Sequence, residues 1–357
     1  MPPPLFSGDK IMKKALTIFI VFYTGILLFL ATNFQIAAAA VGPMINYNVA
    51  PEVASNQLDK KVGYYDLRVT PGQIETIKFK INNNDTKDHT YKISVNRATT
   101  DVNGVIVYNK HNEKPDRDLK YNIENLVTYP KEVSVDAKAT KEVSMIIKTP
   151  QQKFEGELLG GILIEENNQI ENAKPVKGVS LKNKYDYVLG LQLQQNAESI
   201  KPDLKLTKAY QTSDNGQIFV AAEMDNDVPT LEKDVSVKAQ VTPENSNKVI
   251  LKSSKEKMSI APDSTFEYPV NVNSVTGPNK NKRLKPGRYT MYLDVKANNS
   301  QNDWKLKRNF TISKQQNNKL NKKVPDRSKD IWIILGGIGI LIVVAGSVIY
   351  AYRKNKR

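Results

Sequence analysis

The chain has 357 residues, with 52 Lys and Arg against 37 Asp and Glu, and carries a formal net charge of +15. It contains no cysteine and two histidines, His89 and His111, which excludes thiol chemistry, disulfide staples and zinc sites built from Cys and His clusters. A net ten of the positive charges fall in residues 1–40, 314–330 and 353–357, so the region between carries only a mild basic excess, too little to point to nucleic acid.

In chain order, Lys13 and Lys14 precede an apolar run, Ala15–Ala31, and the small-residue string Ala37–Ala40. This pattern predicts a secretory signal peptide over residues 1–40. From there to Ile312 the hydrophobic period is two. Ile77, Phe79 and Ile81 alternate with Lys78 and Lys80, and Tyr91, Ile93 and Val95 alternate with Lys92 and Ser94. Such alternation reads as half-buried antiparallel strands. Pro71-Gly72 and Asn103-Gly104 supply turns in the first half; Asn215-Gly216 and Pro286-Gly287 do so in the second. The spacing predicts an all-β protein with two tandem Ig-like β-sandwich domains, over 41–175 and 185–313. The boundary falls in 167–185, where Asn, Lys, Glu and Pro175 interrupt the pattern, and the strand around Tyr187–Leu193 is a candidate bridge between the two domains. On this reading residues 45–166 form an autonomous sandwich.

Residues 314–330 are rich in Lys, Asn and Gln without an apolar period and read as a charged stalk. Residues 331–352 carry no charge and, at 1.5 Å per residue, would extend roughly 33 Å, enough for a single transmembrane helix. Trp332, Tyr350 and Tyr352 sit at its ends, and the basic tail 353–357 predicts a cytoplasmic C-terminus. The large N-terminal region is thereby expected outside the cell membrane. Lys322-Lys323-Val324-Pro325-Asp326-Arg327 is not an LPxTG sorting motif, so retention in the membrane is expected.

Catalytic chemistry is poorly supplied. His89 follows the polar run Asn82–Asp88 and reads as a polar loop tip rather than a metal loop, and His111 lies in an equally polar loop. The Gly-rich stretch Phe154–Gly161 has neither the Lys-Ser/Thr of a P-loop nor a following helix; glycine in a strand instead allows close backbone approach. No catalytic residue, metal site, cofactor or nucleic-acid partner is assigned.

The motif order is family-specific. Asn56-Gln57, Tyr64-Tyr65-Asp66-Leu67 with Pro71-Gly72-Gln73, Asn96–Thr100 with Asn103-Gly104 and Tyr108, and Phe154-Glu155-Gly156 with Leu159–Ile162 resemble the WxL-interacting proteins of low-GC Gram-positive bacteria. The resemblance implies a peptidoglycan-binding domain followed by a host-binding domain, and no enzyme activity. The partners it implies are peptidoglycan, secreted proteins bearing the WxL domain, and host extracellular proteins. For saccharide binding the candidates are whichever of Tyr64 and Tyr65 faces solvent, with Asp66, Asn56 and Gln57 as hydrogen-bonding neighbours. The functional expectation is a non-catalytic surface adhesin or scaffold. The alternative is an extracytoplasmic, chaperone-like assembly factor that completes clients by strand addition.

Overall fold

The computed structural model describes residues 46–324 apart from 112, 113, 117, 118, 168–184, 197, 199, 273–277 and 280–282. The expected signal peptide, transmembrane helix and basic tail lie outside the described residues. Among the described residues, no helix is long and apolar enough to cross a membrane.

The first half contains β1 (Tyr47–Pro51), β2 (Tyr65–Arg68), β3 (Ile74–Asn83), β4 (His89–Arg97), β5 (Thr99–Thr100) and β6 (Ile106–Val107). A 3-10 turn at Ile123–Asn125 leads to β7 (Val127–Thr128), β8 (Glu132–Val135), β9 (Thr140–Lys148), β10 (Glu157–Glu166) and β11 (Asp186–Gln194). The second half contains β12 (Leu204–Asp214), β13 (Gln217–Asn226), β14 (Glu232–Pro243), β15 (Leu251–Ile260), β16 (Ser264–Val272), β17 (Gly287–Ala297), β18 (Asn302–Ile312) and a helix, α1 (Lys314–Lys323).

Period-two alternation builds each layer. In β3 the residues Ile77, Phe79 and Ile81 are buried while Lys78 and Lys80 point to solvent. A sheet ordered β1-β3-β9-β7 lies over one ordered β2-β11-β10-β4-β8, and their inner faces enclose one core containing Phe79, Tyr91, Met145, Ile162 and Leu191. The second half stacks β12-β13-β16 on β15-β14-β17-β18 around a separate core with Val220, Val237, Tyr268 and Met291. The expected all-β architecture of two sandwiches is present. The turns fall where the sequence puts them: Asn215 and Gly216 both have positive φ between β12 and β13, the geometry of a tight hairpin.

Three expectations need correction. β11 pairs antiparallel with β10, Gly161 opposite Gly190, and parallel with β2, Leu191 opposite Tyr65. It is an interior strand of the five-stranded sheet, so residues 45–166 lack a central strand and the first sandwich runs to Gln194. The physical reason is that β11 is joined to β10 through a polar stretch that reads like a domain linker, while its parallel partner β2 lies far upstream.

The stalk is the second correction, because its first part is folded. The Ser313 hydroxyl caps α1 by accepting the Gln316 N–H at 3.1 Å. Leu320 packs on the second core and Val324 is buried in it, while Gln316 Nε2 donates to the Gln211 carbonyl at 2.7 Å. Two apolar residues at i, i+4 in a Lys- and Asn-rich segment are too few to show a period.

His89 is the third. It begins β4 instead of capping a loop, with its ring held between Asp85 Oδ2 at 2.9 Å and Glu166 Oε1 at 2.8 Å.

The two sandwiches belong to one compact unit, Pro43–Pro325. The β5–β6 hairpin reaches from the first half to the edge of β15. There the Ser259 N–H donates to the Gly104 carbonyl at 2.8 Å and the Ala261 N–H to Thr100 Oγ1 at 2.9 Å. Asp116 accepts the Thr265 N–H at 2.7 Å. Gly156 has φ +71°, and a Cβ there would lie 2.1 Å from the Pro229 carbonyl oxygen, so only glycine lets the two halves meet at this point.

Candidate functional site

A groove of about 900 Å³ opens on the outer face of the first sandwich. Its floor is made by Leu159 and Leu163 of β10 with Val188, Gly190 and Gln192 of β11. One wall is the segment Ile106–Asn109, and the other is Gly63–Tyr64. Asp186 lines it as well, and Leu231 and Lys233 enter from the second half.

Two glycines face each other across the β10–β11 pair. A Cβ on Gly161 would lie 2.6 Å from the Tyr108 ring, and one on Gly190 would lie 3.3 Å from the Tyr64 side chain. Each tyrosine therefore sits down on the sheet where a side chain is missing. Tyr108 is fixed further by its carbonyl, which accepts Asn96 Nδ2 at 2.7 Å. Its hydroxyl is pushed up to about 12, first by burial and then by the Glu157 and Tyr64 charges. The Tyr64 hydroxyl is also raised, first by burial, and then by Asp66, Asp59 and Glu157.

The candidates named from sequence separate cleanly. Tyr64 is 40 % exposed and forms a groove wall, whereas Tyr65 is 1 % exposed and donates its hydroxyl to the Lys78 carbonyl at 2.6 Å. Tyr65 is core and offers no ring face to a ligand. Gln57 is buried, its amide donating to the Asp59 and Tyr64 carbonyls at 3.0 Å while its oxygen accepts the Asp66 N–H at 3.3 Å. Asn56 Nδ2 donates to the Arg68 carbonyl at 2.9 Å. These two side chains shape the loop that presents Tyr64. Asp66 is half-buried and accepts Gln194 Nε2 at 3.1 Å; burial raises its carboxyl, opposed by that hydrogen bond and by the Arg68 and Lys233 charges.

Sequence reasoning missed Glu157, Asp186, Gln192 and Lys233. Glu157 lies beside the groove, where one oxygen accepts the Leu231 N–H and the other accepts Gln192 Nε2. Burial raises its carboxyl. With both oxygens engaged it is a brace between the halves. Among the described residues, no group of three or more His, Asp or Glu side chains is arranged to hold a metal ion.

The described residues are thus an all-β pair of sandwiches with an aromatic-lined groove on the first. The profile of the WxL Interacting Protein peptidoglycan binding domain matches residues 47–166, and that of the WxL Interacting Protein host binding domain matches residues 176–322. The chain belongs to the WxL-interacting protein family. No curated protein matches it. Among solved structures it is similar to the Pseudomonas aeruginosa CupB2 chaperone at 12 % identity, covering 66 % of this chain and 92 % of that one, with a TM-score of 0.26. The E. coli chaperone DraB gives 13 % identity, 75 % and 97 % coverage and a TM-score of 0.24. A PapD-like domain of human CEP192 gives 11 %, 46 % and 97 %, and 0.26. Likenesses at this level carry no argument about what the chain binds.

Proposed function

We propose that this protein is a non-catalytic, membrane-anchored cell-surface adhesin or scaffold. Its first sandwich engages peptidoglycan, and its second engages WxL-domain surface proteins and host extracellular proteins. The observation that carries the reading is the tandem match to peptidoglycan- and host-binding domains on a chain whose first sandwich presents an aromatic-walled groove. Saccharide rings present flat C–H faces that stack on exposed aromatic side chains, and Tyr64 is such a side chain.

A non-enzymatic role is favoured by the state of the carboxylates. Glycoside hydrolysis needs a free acid and a second carboxylate flanking the substrate. Glu157 has both oxygens engaged, and Asp66 is tied to Gln194. Export by the signal at 1–40 and anchoring by 331–352 complete the proposal, with two Ig-like sandwiches held outside the membrane. Sedimentation of the full chain with purified peptidoglycan sacculi tests the first activity; a chain that stays in the supernatant at every salt concentration removes it. Protease added to wall-stripped cells tests the topology. Digestion of residues 41–330 with survival of the 353–357 tail is expected, and protection of the large segment would overturn it.

A further inference from the structure

We infer that the groove is a composite glycan site, built by both halves of the chain and selective for an uncharged pyranose strand over the anionic polymers of a cell wall. The inference rests on the peptidoglycan reading and specifies where and how that ligand is held.

The composite character follows from the chain positions of its parts. Tyr64, Tyr108 and the β10 floor belong to the stretch matching the peptidoglycan-binding domain. The rest of the floor, Val188, Gly190 and Gln192, and the end formed by Leu231 and Lys233, come from the stretch matching the host-binding domain. Neither stretch alone contains the groove. The halves are locked in this arrangement by main-chain hydrogen bonds at Gly104 and Glu157 and by the Gly156–Pro229 contact. The motifs marking the family resemblance also converge here. Tyr64, Tyr108 and Gly161 shape the groove, while Thr100, Gly104 and Gly156 form the junction beside it.

The ligand class follows from the walls and the local charge. Tyr64 and Tyr108 settle over the two facing glycines, so their rings lie beside the apolar floor residues Leu159, Leu163 and Val188 and give the groove aromatic and aliphatic surface. Gln192, Asn109, Asp186 and Lys233 provide a mixed set of donors and acceptors suited to hydroxyl and N-acyl groups. A polyanion is disfavoured because, among the described residues, the lining balances one cation, Lys233, with one carboxylate, Asp186, and so offers no net positive charge to it. The net positive charge of the chain therefore does not describe this surface.

The test uses the full chain in detergent with three probes: sacculi stripped of anionic polymers, a soluble β-1,4-linked N-acetylglucosamine oligomer, and purified teichoic acid. Binding to the first two is expected, changing less than about twofold as salt rises from about 0.01 to about 1 M, over which screening of surface charge becomes nearly complete. Tyr64→Ala is expected to weaken binding about tenfold, as loss of a central aromatic anchor does, with Tyr64→Trp restoring it. Lys233→Ala is expected to weaken it about threefold with an unchanged melting temperature, since the side chain is exposed. No binding of the unaltered chain to sacculi or oligomer would remove the peptidoglycan reading itself. Binding that is intact in both Tyr64→Ala and Lys233→Ala would keep that reading and overturn this site. Loss of only the Tyr64→Ala variant's binding would overturn the composite claim, and binding confined to teichoic acid or abolished by salt would overturn the neutral-glycan claim.

Discussion

Glu157, at the start of β10, accepts the main-chain N–H of Leu231, a residue of the other sandwich, while its second oxygen holds Gln192 on the neighbouring strand. One carboxylate thus ties the groove floor to the junction between the halves. Glu157→Ala leaves the Leu231 N–H without its acceptor in a buried setting, which costs about 1–3 kcal/mol. Equilibrium unfolding in urea should show that loss, and Glu157→Gln, which keeps an acceptor oxygen, should recover part of it. Equal stability of the alanine variant and the unaltered chain would mean the junction does not depend on this contact.

The same junction predicts a pH dependence. Glu232 is 1 % exposed, with one oxygen accepting Asn298 Nδ2 at 2.9 Å and the other without a partner. Burial, helped by the nearby Glu157 charge, raises its carboxyl from 4.5 to about 7. The folded chain therefore keeps a proton that the unfolded chain has already released. Stability is fully present below the unfolded value and is lost as pH rises through the folded one, and it is flat above that. Glu232→Gln keeps the Asn298 contact and cannot ionise. It should match the unaltered chain near pH 4.5 and exceed it by about 1–3 kcal/mol at pH 8. Parallel stability curves for the two proteins across that range would contradict this account.

Much of the fold is legible in the sequence because each strand is half-buried. Ile77, Phe79 and Ile81 alternate with lysines, and Asn215-Gly216 can only be a tight turn. What escapes is whatever depends on pairing at long range. β11 looks like one strand among many, and only its hydrogen bonds to β2 and β10 show which sandwich owns it. The site divides in the same way. Alternation puts Tyr64 and Tyr65 on opposite faces, but which one meets solvent is decided only by the pairing of β2 with β11. Lys233 reaches the groove from a strand 169 residues further along, where nothing local marks a ligand site.

The docked helix gives a further expectation. Leu320 and Val324 lie one turn apart and close the end of the second core, and Arg283 donates to Asn321 and to the Val324 carbonyl. Val324→Asp puts a carboxylate into the second core, a cost that the adjacent Arg283 offsets only in part, and should destabilise by about 2–3 kcal/mol. Ser313→Ala removes only the cap and should cost about 1 kcal/mol. Thermal unfolding distinguishes the two. A tolerated aspartate would show that α1 is peripheral and that residues 314–324 act as the flexible stalk that composition alone suggests.

The ownership of β11 makes the sharpest prediction about domain boundaries. In the order β2-β11-β10-β4-β8 it is interior, so a fragment ending at residue 166 exposes the β10 edge and strips β2 of its only ladder within that sheet. It also removes Leu189, Leu191 and Leu193 from the core, each worth about 1.5–3 kcal/mol when buried. Those losses are comparable to the whole stability of a domain this size. A fragment covering 46–166 should therefore be unfolded or aggregated through its open apolar edge. Extending it to residue 196 should give dispersed amide resonances and a cooperative melt, because the sheet is then complete. Such a fragment still lacks Leu231 and Lys233, so it should bind the oligosaccharide more weakly than the full chain. A cooperative melt for 46–166 would show that β10 and β2 can do without the strand between them, and β11 would then belong to the linker that its flanking sequence resembles.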